Sequence, residues 1–411
     1  MKCLPSLIVC IFLFSLSGNA QFQMDWNADI NLELSAAGSD AHYGYNNFHR
    51  DYTKTSFDLT QANLIAGFEF NPSWKINTHL LINRQVAQRA GLFREFELYE
   101  VVYAKLNIQW SSSNTPWSIV GGRLINPFGR FYENQLYSDR HILDTPSAYS
   151  YSTNISKNVG FVPLLVEDDS YSELLRDDHP IFRDWGTPVL SRLGYLTGIQ
   201  VQYDLPEKLN ASILFAKNAP NVYVESFFGE GWSLISHFNY RINYFSKLGL
   251  SFSYSPFVEE NYISDRLTLS DFHQTIIGLD YSFEYGFWEL CGEIIAAWYS
   301  VPIFNILLDD YSLDGIFFTL NTTSFYIDLK YEFPFLTGAY AAYRFDILSF
   351  GEGPDGNGGR TEWDQEVIRN ALSFGYRINS FWELKLSLAD QNVKGRDWDQ
   401  STFRLMTSFF W

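Results

Sequence analysis

The sequence predicts an all-β chain closed into a transmembrane antiparallel β-barrel of about 16 strands, with a long loop after the fifth. Three observations carry this. Polar and apolar residues alternate with period two along most of the chain, the signature of strands with two different faces. The connections between these segments are short and long in strict turn. The 36 Phe, 26 Tyr and 12 Trp cluster at segment ends, where interfacial girdles of a barrel would place them.

The first segment, MKCLPSLIVCIFLFSLSGNA, reads as a secretory signal peptide over residues 1–20. Lys2 supplies the charged start and Leu7 to Leu16 the apolar stretch. Gly18 and Ala20 are the small residues before cleavage after Ala20. Cys3 and Cys10 leave with it, so Cys291 remains the single thiol. A disulfide framework within one chain is thereby excluded. Residues 21–411 are expected to form one domain, since no Pro-, Ser- or Gly-rich linker divides them. No later run approaches the ~18 apolar residues of a membrane-spanning helix.

Alternation starts at once. Trp26, Ala28, Ile30, Leu32 and Leu34 oppose Asp25, Asn27, Asp29, Asn31 and Glu33. Trp74, Ile76, Thr78, Leu80 and Ile82 then oppose Lys75, Asn77 and His79, and Trp382, Leu384, Leu386 and Leu388 oppose Glu383, Lys385 and Ser387. Sixteen such segments begin near residues 24, 53, 73, 94, 116, 191, 207, 231, 246, 272, 286, 322, 335, 367, 381 and 401. The short links are NPS, SSSNTP, LPEK, FSK, EYG, EFPF and INS, each followed by a large residue: Trp74, Trp117, Leu209, Leu248, Trp288, Leu336 and Trp382. The resulting period of roughly 40–48 residues is also that of propeller blades. Blades need four short strands per repeat, whereas each repeat here supplies two long ones. Strands of about 9–11 residues are long enough to cross a bilayer. The last segment, FRLMTSFFW, carries Phe403, Leu405, Thr407, Phe409 and Trp411 on one face. It is expected to close the barrel against residues 24–36, because open backbone edges cannot stand in lipid.

The opposite face is polar. Asp29, Glu33, Glu293 and Asp346 nearly balance Lys75, Lys105, Lys385 and Arg404 there, which predicts a water-filled lumen. The net charge of −18 therefore sits mainly in loops, and it argues against a nucleic-acid partner.

At this point the chain resembles the porins of Gram-negative outer membranes. The sixteen segments, the terminal Phe/Trp strand and the long loop opening with GRLINPFGRFYENQ (122–135) carry the resemblance. It implies a cell outer-membrane location after signal-directed export, surrounding lipid, and a channel for passive diffusion of small hydrophilic solutes or ions. A homo-oligomer is also in keeping with it. In such proteins the loop after the fifth strand narrows the pore. By resemblance, residues 126–190 form a constriction or an external lid. Its acids Glu167, Asp168, Asp169, Asp177 and Asp178 would then face wall cations among Arg241, Arg344, Arg369 and Arg377. A moderate cation preference follows from that arrangement. The alternative is a barrel with a closed lumen that binds at the surface, as an adhesin, a receptor or a partner in an uptake complex.

No enzyme chemistry is expected. Asp177, Asp178, His179 and Asp184 place one His beside acids, a weak pattern for water activation. Asp355, Asn357, Gly359 and Glu366 fit a calcium loop, but Arg360 stands where its turn needs glycine. There is no P-loop, GxGxxG, CxxC pair or HExxH, so no cofactor or metal is assigned.

Overall fold

The protein is described from a computed structural model. It covers residues 23–37, 56–86, 97–151, 153–156, 160–161, 187–192, 194–206, 208–217, 219–221, 231–258, 271–302, 304–305, 310–311, 317–354, 359–395 and 400–411. The expected signal peptide lies outside them.

Sixteen strands form one closed barrel, each hydrogen-bonded to its sequence neighbours. They are β1 (Gln23–Ala37), β2 (Ser56–Asn71), β3 (Trp74–Val86), β4 (Glu97–Ser111), β5 (Trp117–Ile125), β6 (Tyr195–Leu205), β7 (Leu209–Ala216) and β8 (Ser233–Asn243). The second half comprises β9 (Ser246–Pro256), β10 (His273–Tyr285), β11 (Trp288–Pro302), β12 (Phe317–Glu332), β13 (Ala339–Phe350), β14 (Val367–Asn379), β15 (Trp382–Val393) and β16 (Thr402–Phe410). The seam is antiparallel and runs from Asp29 opposite Phe410 to Ala37 opposite Thr402, as the terminal segments predict.

Alternation decides which way each side chain points. On β9, Leu250, Phe252 and Tyr254 are exposed outside while Ser251, Ser253 and Ser255 are buried inside. On β15, Leu388 is exposed while Lys385, Ser387 and Gln391 are buried. A belt of exposed Leu, Ile, Phe and aromatic side chains thus surrounds the barrel. In water it would be a very large apolar patch; in lipid it is solvated. Trp74, Trp117, Trp288, Trp382 and Trp411 all lie at the short-turn ends of their strands and are exposed. They form the girdle expected for rings with an apolar body and a polar N–H. Among the described residues no helix is long and apolar enough to cross a membrane, which says nothing of strands.

Two of the boundaries that differ from the sequence reading have a plain cause. The expected strand start near 322 lies at Phe317, because Thr319, Asn321 and Thr323 continue the alternation beyond the apolar belt. The expected turn at 332–335 extends to Gly338, which takes φ +87°. Pro334 cannot donate to a ladder, so Leu336 lies in the turn and β13 begins at Ala339.

Candidate functional site

The site is the lumen together with the loop after β5. Residues 126–151 and 153–156 of that loop fold into the barrel rather than over it.

Asn126 starts the inward path: its backbone N–H donates to the Gly194 carbonyl (2.6 Å) and its side chain accepts from the Phe128 N–H (3.0 Å). Gly129 follows with φ +64°, donating to Ser251 Oγ of β9 (2.8 Å). A Cβ there would sit 2.9 Å from Glu293 Oε1 and 3.1 Å from the Tyr149 hydroxyl, so glycine is needed for the close approach as well as for the backbone. Glu293, pointing inward from β11, receives three donors. The N–H groups of Arg130 (2.5 Å) and Phe131 (2.6 Å) reach Oε1, and the Tyr149 hydroxyl reaches Oε2 (2.6 Å). The Phe131 and Tyr149 rings lie 4.3 Å apart, and Tyr132 meets Tyr149 edge-on at 5.4 Å.

Beyond this aromatic knot the loop crosses to the charged wall of β13–β16. Lys385 donates to the carbonyls of Tyr137 (3.0 Å) and Ser138 (2.9 Å), and Arg404 to that of Leu143 (2.9 Å). Arg344 donates to the Asp144 carbonyl (2.6 Å), and Arg369 to that of Thr145 (2.5 Å). Asp346 closes the row by accepting from the N–H and hydroxyl of Ser147, both at 2.6 Å. These carbonyls belong to irregular backbone that no ladder satisfies, and buried carbonyls require partners. Arg140, within the loop, donates to the Asn134 and Gln135 carbonyls and to Thr145 Oγ1. It lies over the Phe131 and Tyr137 rings at 4.8 and 4.9 Å. Burial pulls its pKa down to about 9, with Arg192, Arg344 and Arg404 adding repulsion and Tyr137 opposing it. For the Tyr137 phenol, burial pushes upward but Arg192, Arg404 and Arg140 outweigh it, leaving it below its ordinary value.

A third layer covers the loop. Trp363 is buried and donates to the Asn321 carbonyl (2.7 Å). Asp364 accepts from the Asn154 N–H (2.8 Å) and the Tyr151 hydroxyl (3.4 Å). Burial pushes the Asp364 carboxyl up to about 7, although three hydrogen bonds pull it down.

The lumen is therefore not uniformly wet, which corrects the sequence expectation. Toward the long-loop end the inward residues of β11 turn apolar: Ile295, Ala297, Tyr299 and Val301. They join Phe128, Phe257, Phe272, Leu320, Phe350 and Trp363 in one buried cluster. On β11 the inward charges stop at Glu293, and the outer face alternates with residues that are equally apolar. Toward the short turns the wall remains polar. Lys75, Asn77, Lys105, Gln109, Ser118 and Gln202 on β3–β6 are half-buried. A cavity of about 40 Å³ lies beneath the loop, lined by Arg130, His141, Glu289, Cys291, Lys330 and Arg344 among others.

Of the residues singled out from sequence, Arg344 and Arg369 stand together on the loop-bearing wall. Arg344 is also paired with Asp328 (2.5 Å) and Arg369 with Gln391 (3.0 Å from Nε). Arg241 and Arg377 lie apart, near the short-turn ends of β8 and β14. Arg241 is half-buried; Arg377 is exposed, with its guanidinium 5.4 Å from the Phe410 ring centre. Glu167, Asp168, Asp169, Asp177 and Asp178 lie outside the described residues, as do His179, Asp184, Asp355 and Asn357. Glu366 accepts from Ser349 Oγ (2.9 Å). Tyr137, Arg140, Asp144 and Tyr149 were not singled out. Their only signal was the density of aromatic and charged residues in FYENQLYSDRHILDTPSAYS.

A closed sixteen-stranded barrel with an apolar belt, a girdle of indoles and the loop after the fifth strand folded inside has the architecture of outer-membrane porins. The chain is similar in fold to the outer-membrane channel DcaP of Acinetobacter baumannii, with a TM-score of 0.56 and 10% identity over 95% of this chain and 97% of that one. It is also similar to OmpF of Salmonella typhi in its complex with daunomycin, with a TM-score of 0.55 and 12% identity over 94% and 97%. A loop-deletion mutant of OmpT, an outer membrane protein of Vibrio cholerae, gives a TM-score of 0.52 and 8% identity over 95% and 99%. No protein-family model matches the sequence, and no curated protein does.

Proposed function

We propose that the protein is an outer-membrane channel for passive diffusion of small hydrophilic solutes, with the in-folded loop setting its aperture. It acts without a cofactor and without catalysis. The observation that carries this reading is the loop itself: residues 126–156 are fastened to the inner wall from β9 to β16, above a polar vestibule on the short-turn side. The likeness in fold to the outer-membrane channel DcaP adds support. Export by the 1–20 signal and residence in outer-membrane lipid belong to the same reading.

A moderate cation preference is part of the proposal. Glu167, Asp168, Asp169, Asp177 and Asp178 carry net negative charge, and charges in a narrow passage are screened less than in bulk. The test is single-channel recording in a planar bilayer with a salt gradient. Discrete steps with a reversal potential favouring cations are expected. Neutralising the five acids should move that potential toward anions, and deleting the loop should raise conductance.

One observation favours a second reading. The apolar packing around Tyr299, Phe257 and Trp363 closes part of the lumen, which suits a surface-binding barrel. A wild-type protein that conducts only after loop deletion would transfer the assignment to that reading.

A further inference from the structure

The seven short turns differ in a way that neither barrel closure nor turn geometry requires. Three of them carry the same local device. Asn71 Oδ1 accepts from the Ser73 N–H (2.9 Å), Asn243 Oδ1 from the Phe245 N–H (2.8 Å) and Asn379 Oδ1 from the Phe381 N–H (2.8 Å). Such Asx turns are set by the Asn side chain and do not dictate the residue two positions on. Yet serine stands there in the β2–β3 turn, and phenylalanine in the β8–β9 and β14–β15 turns.

The division runs around the whole rim. Between β2 and β7 the turns read Asn-Pro-Ser, Ser-Ser-Asn-Thr-Pro and Pro-Glu-Lys. From β8 to β15 every turn carries aromatics at its tip. Tyr244 is 87% exposed, Phe335 82% and Phe381 63%, with Phe245 and Phe287 close to half-exposed. These rings continue the girdle rather than standing apart from it. Trp288 and Tyr331 are 4.5 Å apart, Tyr331 and Phe333 5.6 Å, and Phe333 and Phe335 5.5 Å. Phe245 meets Tyr285 edge-on at 5.1 Å. On the other side the girdle stops at Trp74 and Trp117, the first residues of β3 and β5, with Trp117 against Tyr203 at 4.7 Å, and the turns beyond hold no aromatic residue.

Aromatic rings with no protein cover are stable at the boundary between headgroups and acyl chains, and costly in water. Continuity with the lipid-facing girdle identifies the medium that covers them. We infer that the β8–β15 side of the short-turn rim is a lipid-docking surface. Its turn tips are embedded in the membrane interface while the β2–β7 tips stay in water, so the barrel sits tilted. This rests on the barrel crossing a membrane and is independent of whether it conducts.

Spin labels can test it without touching an aromatic residue. In the chain of residues 21–411 carrying Cys291→Ser, single cysteines are placed at Ser380 and Thr337 on one side and at Ser73 and Ser113 on the other. The protein is reconstituted in phosphatidylcholine–phosphatidylglycerol vesicles. The ratio of oxygen to aqueous nickel-chelate accessibility should be severalfold higher at Ser380 and Thr337. The triple change Tyr244→Ser, Phe335→Ser, Phe381→Ser should bring those two sites to the values of Ser73 and Ser113. A retained heat-dependent gel shift shows that this variant still forms the barrel. Equal, water-like ratios at all four sites overturn the inference. Loss of access to both reagents at Ser380 and Thr337 overturns it too, because a protein partner or second copy would then cover the surface.

Discussion

The in-folded loop is held at two ends by two kinds of physics. At the Phe128–Tyr132 end it is an apolar plug: packed rings, one glycine and one carboxylate that gathers three donors. At the Tyr137–Ser147 end Ile142 and Leu143 are buried as well, but the distinctive grip is electrostatic: cations from four adjacent strands hold backbone carbonyls. The first end depends on shape, and its partners are replaceable by others of similar volume. The second depends on pairing. A buried cation that loses its partner, or a buried carboxylate that loses its cation, is left with a desolvation penalty and no compensation. Robustness to substitution should therefore be lower at the charged end.

The largest effect is expected there. Arg404→Met removes the cation that faces Glu33 at 2.6 Å, a carboxylate almost wholly buried. A loss of about 3–5 kcal/mol is expected, since breaking a buried pair costs that much, read as a lower unfolding temperature in detergent. The double change Glu33→Gln, Arg404→Met should recover a good part of it. If the double variant is as unstable as the single, packing rather than charge dominates this end.

Glu293→Gln probes the other end. The amide keeps an acceptor for the Arg130 and Phe131 N–H groups but loses the charge that strengthens all three bonds. The cost should be about 1–2 kcal/mol, in line with hydrogen bonds to charged groups, with faster proteolysis inside residues 126–156. Phe131→Leu should cost still less, about 1 kcal/mol, because volume is largely kept and only the ring geometry is lost. Equal losses for Phe131→Leu and Arg404→Met would erase the distinction between the two ends.

The smallest effect is local and depends on pH. Asp364 is raised from 3.8 to about 7, so its folded site prefers the proton. Its contribution is fully present below about pH 4, declines as pH rises toward 7, and is spent above that. Exchange of the Asn154 amide should accelerate across this window while the global unfolding temperature hardly moves. Asp364→Asn should flatten that dependence.

The barrel was legible in the sequence because period two is imposed residue by residue. Expected starts at 73, 116, 246, 272, 367, 381 and 401 fall within one residue of the observed strands. The same alternation placed Glu293, Asp346, Lys385 and Arg404 on the inner wall. What they hold was not legible. Arg369 meets a carbonyl 224 residues away and Arg404 one 261 residues away, and a carbonyl has no residue type to announce it. The apolar upper lumen was hidden for a related reason: Ile295 and Tyr299 face inward on a strand whose outer face is equally apolar, so the alternation fades there.

Arg404 also sets an order of events during assembly. One of its nitrogens bonds Glu33 across the seam between the first and last strands, and another holds the Leu143 carbonyl of the loop. Every other cation in that row comes from β13, β14 or β15, all made after the loop. The 137–147 end of the loop therefore stays without these cations until β13 is made, and its grip is complete only when β16 arrives. Completing the loop's seat and closing the ring then become one cooperative step, late and slow, as befits contacts so distant along the chain. A barrel still open at its seam would also be a barrel with its interior unsorted, so the shape of the lumen is fixed at the moment the cylinder closes.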